Sequence, residues 1–250
     1  MVKLVGVGVG PGDPDLVTVG ALRALRAADK VFAPSVAIDV VGRAEAIARQ
    51  ACPDVVTERL VVEMNTTADS CYKAAAQTLV AHLDAGLTAA VMTLGDPNVY
   101  STFSSLAAAV VALRPATKVE TIPGITAFQD LAARSGTVLL EGNGRLSLVT
   151  ALTGTTDLDH ALADPGAAVV IYKGGRHLPA VTGRLASAGR LEGAVMGELL
   201  GLAGQRIVTA AEAGGGPASY LATVLVPPVA PVLGSPASAN PPASANPGDG

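Results

Sequence analysis

Short, almost wholly apolar runs alternate with segments of helical period through the first half of the chain, and this alternation constrains the fold more than any single residue does. Residues 2–9, 29–34, 55–62 and 89–94 form the runs, and 18–28, 44–52 and 70–85 carry the helical spacing between them. A continuous apolar run bounded by turn residues suits a parallel strand covered on both faces. The order βαβαβαβ therefore predicts an open α/β sheet with parallel strands and right-handed crossovers, which 118–122 is expected to close. In the second half, 146–151, 167–172, 194–199, 206–212 and 220–226 are predicted strands, with helices over 158–163 and 179–188. The β-branched residues of 220–226 suit an antiparallel edge.

Three turns stand out against this framework. The run at 89–94 breaks at Gly95-Asp96-Pro97, and a helical pattern follows through Phe103, Leu106, Ala107, Val110 and Val111, with Ser101 or Thr102 available as its cap. Asp96 thus falls just beyond the carboxyl end of a strand, where open α/β sheets bind ligands. An ordinary turn with a helix cap fits the same residues. The first strand opens into Gly10-Pro11-Gly12-Asp13-Pro14-Asp15, which fails the dinucleotide template: Pro11 or Asp13 occupies its third glycine. Asp13 would also face a pyrophosphate, with no Lys or Arg between Leu4 and Leu22 to offset it. Such a loop suits an uncharged adenosine or a cationic centre better than phosphate, and a tight turn into a helix is its structural alternative. Pro123-Gly124 is the candidate boundary between domains. Lys173-Gly174-Gly175-Arg176-His177 is the most basic cluster near a strand end.

Composition narrows the classes. Half the residues are hydrophobic and only 15% are charged, a globular balance, yet no apolar stretch reaches the ~20 residues of a membrane helix. The glycine-punctuated start lacks the pattern of a signal peptide, so a cytoplasmic location is expected. A net charge of −4 without a basic stripe argues against nucleic acid. Cys52 and Cys71 have neither zinc-site nor disulfide-framework spacing and are expected as free thiols. His82, His160 and His177 sit in no triad or metal-ligand pattern, and no metal site is predicted. Residues 232–250, rich in Pro, Ala, Ser, Asn and Gly, are predicted to be a disordered tail.

Gly-Val-Gly-Pro-Gly-Asp in the 7–13 region, Gly95-Asp96-Pro97 and Pro123-Gly-Ile-Thr-Ala127, in this order and spacing, resemble the tetrapyrrole methylase family. The resemblance implies two α/β domains, 1–122 and 123–231, with a cleft between them for S-adenosylmethionine (SAM). It implies cofactor contacts at Pro11, Leu94, Gly95, Asp96, Val99, Thr126, Ala127 and Leu200. It also implies a tetrapyrrole substrate, to which Tyr100, Lys173 and Arg176 are assigned, and a homodimer. Asp96 and Lys173 are the candidate catalytic residues. Gly-Pro-Gly-Asp-Pro-Asp-Leu-Val-Thr18, Gly-Asp-Pro-Asn-Val-Tyr-Ser-Thr-Phe103 and Lys173-Gly-Gly-Arg176 are most similar to the branch that methylates precorrin-2 at carbon 20. A sulfonium cofactor without phosphate agrees with acidic, glycine-bearing loops, and methyl transfer to an electron-rich ring carbon needs positioning more than a protein nucleophile.

Overall fold

The computed structural model describes residues 2–62, 69–213 and 216–229; the predicted tail at 232–250 lies outside them. The first lobe alternates strands and helices as its pattern requires: β1 (Lys3–Gly8), α1 (Val19–Ala27), β2 (Lys30–Ser35), α2 (Arg43–Ala51), β3 (Thr57–Val61), α3 (Asp69–Asp84), β4 (Ala89–Thr93), α4 (Thr102–Leu113) and β5 (Lys118–Ile122). All pairings are parallel, in the order β3-β2-β4-β1-β5. Every residue of the central β4 is buried. Leu4, Phe32 and Val91 pack against α3 and α4 on one face, while Val5, Val31 and Met92 meet α1 and α2 on the other. At roughly 1.5–3 kcal/mol per large apolar side chain withdrawn from water, these two clusters outweigh any surface ion pair. The helices start where polar side chains satisfy free N–H groups: Thr18 Oγ1 accepts from Ala21 N at 3.1 Å, and Ser101 Oγ accepts from Phe103 N at 3.0 Å.

The strand order has a geometric consequence. The chain leaving β1 must pass β4 to reach β2, and the chain leaving β4 must pass β1 to reach β5. The two connections leave neighbouring strands for helices on opposite faces of the sheet, and their backbones touch where they part at the carboxyl ends of β1 and β4. Gly95 N donates to Gly10 O at 2.7 Å, and Val9 N to Thr93 O at 3.0 Å. A Cβ on Gly124 would lie 2.1 Å from Gly95 O, and one on Gly8 would lie 2.5 Å from the same oxygen. At Gly8 and Gly124 only a hydrogen side chain fits this knot.

The second lobe begins with α5 (Ala127–Ser135), which packs on its sheet, and continues through β6 (Arg145–Thr150), α6 (Thr156–Leu162), β7 (Ala167–Tyr172), α7 (Leu178–Ser187), β8 (Val195–Glu198), β9 (Arg206–Thr209), α8 (Ala210–Ala213) and β10 (Thr223–Val226). Its sheet runs β6-β7-β10-β8-β9, with β6 and β7 parallel and the other pairs antiparallel. Two expectations need correction. The predicted strand over 206–212 stops at Thr209, because Glu212 Oε2 accepts from Thr209 N at 3.0 Å and caps the short α8. The last strand is antiparallel but central, not an edge: all four residues of β10 are buried between β7 and β8. Its β-branched residues serve two-sided burial here.

Candidate active site

A cavity of about 500 Å³ opens between the lobes at the carboxyl end of the first sheet. The β1 loop contributes Pro11, and the β4 loop contributes Leu94, Gly95, Asp96, Val99 and Tyr100. Thr126 and Ala127 enter from the start of α5; Lys173 and Leu200 enter from the second lobe. Ten of the eleven candidate residues therefore meet in one place. Arg176 does not: it lies exposed in a short 3-10 turn, Gly175–His177, and is not in the cavity wall.

Asp96 lines the cavity and also locks the knot behind it. One carboxylate oxygen accepts from Asn98 N at 2.8 Å and the other from Gly124 N at 3.0 Å. Charge-assisted bonds of this kind are among the stronger ones in a protein, so its orientation is fixed. Asp13 behaves differently from expectation. Its Oδ1 accepts from Asp15 N at 3.0 Å, its Oδ2 pairs with Arg134 at 3.2 Å, and it is absent from the cavity wall. Arg134, 121 residues away in sequence, supplies the cation that the local sequence lacks. Both turns thus reach the cavity, the first through Pro11, but of their two carboxylates only that of Asp96 lines it. Gly12 likewise makes room for protein, since a Cβ there would lie 1.9 Å from Leu200 O in the other lobe.

Among the described residues, three non-glycine residues have left-handed φ: Tyr100 (47°), Lys173 (58°) and Leu199 (53°). Tyr100 and Lys173 line the cavity, and Leu199 precedes Leu200, which does. Each such conformation costs on the order of 1–2 kcal/mol and concentrates at sites where a side chain must be aimed. Lys173 Nζ donates to Tyr100 O at 3.2 Å and sits 6.0 and 5.7 Å from the ring centroids of Tyr100 and Tyr220. Tyr100 Oη donates to Leu148 O at 3.1 Å, giving a further bond between the lobes. Tyr172, also in the wall, receives Phe128 N–H on its phenol oxygen at 3.2 Å; burial pushes its pKa above the ordinary tyrosine value and keeps it neutral.

The β2–α2 connection was not among the sequence candidates, yet Val36, Val40, Val41 and Arg43 all reach the cavity. Its one sequence signal is an apolar run in a segment flanked by Pro34 and Gly42 that has neither strand nor helix period. A second hollow, about 360 Å³, shares no residue with this cavity; four of its charged groups pair as Arg26–Asp54 and Lys30–Glu58, and Asp29 accepts from Thr88 N. Among the described residues no three His, Cys, Asp or Glu side chains cluster as metal ligands, and no described helix is long and apolar enough to cross a membrane. Cys52 is a free, buried thiol, 3.2 Å from Asp54.

Residues 3–214 match the family model described as tetrapyrrole (corrin/porphyrin) methylases. The chain is 36% identical over 237 residues to the precorrin-2 C(20)-methyltransferase of a Sinorhizobium species, covering 90% of this chain and 95% of that protein. It is 30% identical to the cobalt-precorrin-2 C(20)-methyltransferase of Salmonella typhimurium, covering 78% and 82% of the two chains. Among solved structures, a cobalt precorrin-4 methyltransferase superposes with a TM-score of 0.66 at 21% identity, over 90% of this chain and 94% of that one. The paired α/β lobes, the glycine knot and a family match across nearly all described residues lead to one conclusion: the chain belongs to the tetrapyrrole methylase family and is a methyltransferase.

Proposed function

We propose that this protein transfers a methyl group from SAM to carbon 20 of precorrin-2. The observation that carries the reading is 36% identity across 95% of a precorrin-2 C(20)-methyltransferase, joined to a single interlobe cavity holding ten of the candidate residues. The wall fits the cofactor's chemistry. It offers the apolar Met92, Leu94 and Val99, the carboxylate of Asp96 and the start of α5, and the glycine loops beside it carry no phosphate-binding cation. Pro11, Leu94, Gly95, Asp96, Val99, Thr126, Ala127 and Leu200 would hold SAM, which supplies an electrophilic methyl on a positively charged sulfur. The residues orient the reactants and exclude water, and the substrate's ring carbon is the nucleophile. Asp96, fixed by two backbone N–H groups, places negative charge on the cofactor side. Lys173 and Tyr100 border the substrate side, where Lys173 retains N–H donors beyond the one given to Tyr100 O.

The proposal also divides the chain into domains at 1–122 and 123–231, which the separate apolar cores of the two sheets support, and includes a cytoplasmic homodimer. Purified protein incubated with SAM and metal-free precorrin-2 is expected to yield a product one methyl heavier, read by mass spectrometry. Gain with cobalt-precorrin-2 alone would move the assignment to the substrate named for the Salmonella relative. Gain with neither would end it.

A further inference from the structure

The wall formed by the β2–α2 connection keeps apolar side chains in water. Val36, Val40 and Val41 are 55, 42 and 45% exposed, and all three line the cavity. A loose segment would fold such groups away, but this one is braced. Ser35 Oγ donates to Val40 O at 2.6 Å, and Arg59 Nη1 donates to Ile38 O at 2.9 Å. Arg59 is itself held by the fully buried Glu45, whose carboxylate takes Nε at 2.7 Å and Nη2 at 3.1 Å. Gly42 lies so close to the β2 backbone that a Cβ would come within 2.6 Å of Pro34 O. The exposed apolar face is thus a fixed feature.

Arg43 stands at the end of this wall, at the first turn of α2, and reaches the same cavity. Its guanidinium is exposed and has no hydrogen bond or ion pair with any described residue. The nearest acid in sequence, Glu45, is already engaged by Arg49, Arg59 and Thr57. Of the other charged groups in the cavity wall, Asp96 is held by two backbone N–H groups, and Lys173 gives one of its N–H groups to Tyr100 O, which leaves Arg43 as the cation there with all its donors unused by any described residue. An unengaged planar cation beside a fixed apolar face complements a flat, largely apolar ring that carries carboxylates on its edge.

We infer that the Val36–Arg43 segment is the specificity wall for the tetrapyrrole, with Arg43 gripping one of its peripheral carboxylates and Val36, Val40 and Val41 covering the ring beside it. This rests on the function proposed above. Arg43 positions the substrate and takes no part in bond making.

The test is steady-state methyl transfer from SAM to precorrin-2 by the full chain carrying Arg43→Gln or Arg43→Lys. Loss of one charge-assisted contact at a partly solvated site should raise KM for precorrin-2 about five- to tenfold in Arg43→Gln. The same variant should keep kcat within about twofold, because uniform binding is lost and transition-state stabilisation is not. Affinity for S-adenosylhomocysteine, measured by calorimetry, should stay at the wild-type value. Arg43→Lys should recover part of the loss, and added salt should narrow the gap between wild type and Arg43→Gln. An unchanged KM, or a fall in kcat at constant KM, overturns the inference while the proposed function stands. Failure of the wild type to methylate precorrin-2 removes the proposed function and this wall's substrate with it.

Discussion

The floor and the rim of the cavity solve the problem of crowding in opposite ways. At the floor, two chain connections meet as they leave neighbouring strands, and glycine at Gly8 and Gly124 lets their backbones rest on Gly95 O. At the rim, Tyr100 and Lys173 occupy left-handed φ while keeping large side chains, and Leu199 does so beside them. Gly95 itself has φ +70° with nothing within 4 Å of an added Cβ, so its requirement is conformational; that of Gly124 is steric. The difference teaches that glycine motifs here mark the scaffold of the cleft, whereas the residues aimed into it bear the backbone strain.

The largest expected effect breaks the floor. In Gly124→Ala the new methyl would sit 2.1 Å from one carbonyl oxygen and 2.9 Å from the Gly8 backbone, and neither can swing away as a side chain would. It would also disturb the Gly124 N–H that holds Asp96. A loss of about 3 kcal/mol or more in denaturant unfolding is expected. Gly95→Ala, with space but unfavourable φ, should cost only about 1–2 kcal/mol. Equal losses would show that floor glycines share a single cause.

The rim gives the next effect. Lys173→Ala and Lys173→Gly both delete the ammonium bonded to Tyr100 O, so their difference isolates the backbone. Glycine relieves about 1–2 kcal/mol of left-handed strain and gives back about 0.4–1 kcal/mol through greater freedom in the unfolded chain. Lys173→Gly should therefore be more stable than Lys173→Ala by roughly 0.5–1 kcal/mol. Alanine more stable by about 0.4–1 kcal/mol, the unfolded-chain contribution alone, would mean that residue 173 carries no strain.

The same contrast explains what could be read without coordinates. Alternating apolar runs were enough for the parallel sheet, since a strand buried on both faces leaves a continuous pattern, as in β4. Three glycine-bearing turns located the floor and hence most of the cavity. Legibility failed where distant partners decide. Asp13 looked uncompensated because Arg134 joins it from a different lobe. Arg176 looked aligned with Lys173, but the short 3-10 turn carries it away. β10 read as an edge because β-branched residues suit both an edge and a doubly paired strand. Nothing in the residue types of Tyr100, Lys173 or Leu199 announces a left-handed backbone, and the Val36–Arg43 wall has no regular period to find.

The smallest expected effect lies outside both regions and separates the steric defect at the floor from ionic bracing of the lobe around it. The first lobe is braced at its surface by carboxylates held well below their ordinary range. Asp54, hydrogen-bonded by Arg26 and then by Cys52, is lowered to about 2, and Glu120, between Lys118 and Lys3, is likewise lowered to about 2. Their pKa values are depressed in the folded state, so their contribution is complete above the ordinary carboxylate range of about 4–4.5. As pH falls below that, the unfolded chain takes up protons first, and the contribution is lost by about pH 2. Thermal unfolding followed from pH 5 to pH 2 should therefore show a falling midpoint, shallower at high salt because these groups face solvent. Asp54→Asn should flatten the slope in that window. Gly124→Ala should keep most of its penalty at every pH, because the collision of its new methyl with the Gly95 and Gly8 backbones involves no charge; a penalty that vanished on acidification would instead trace the defect to the Gly124 N–H bond with the Asp96 carboxylate and dissolve the distinction.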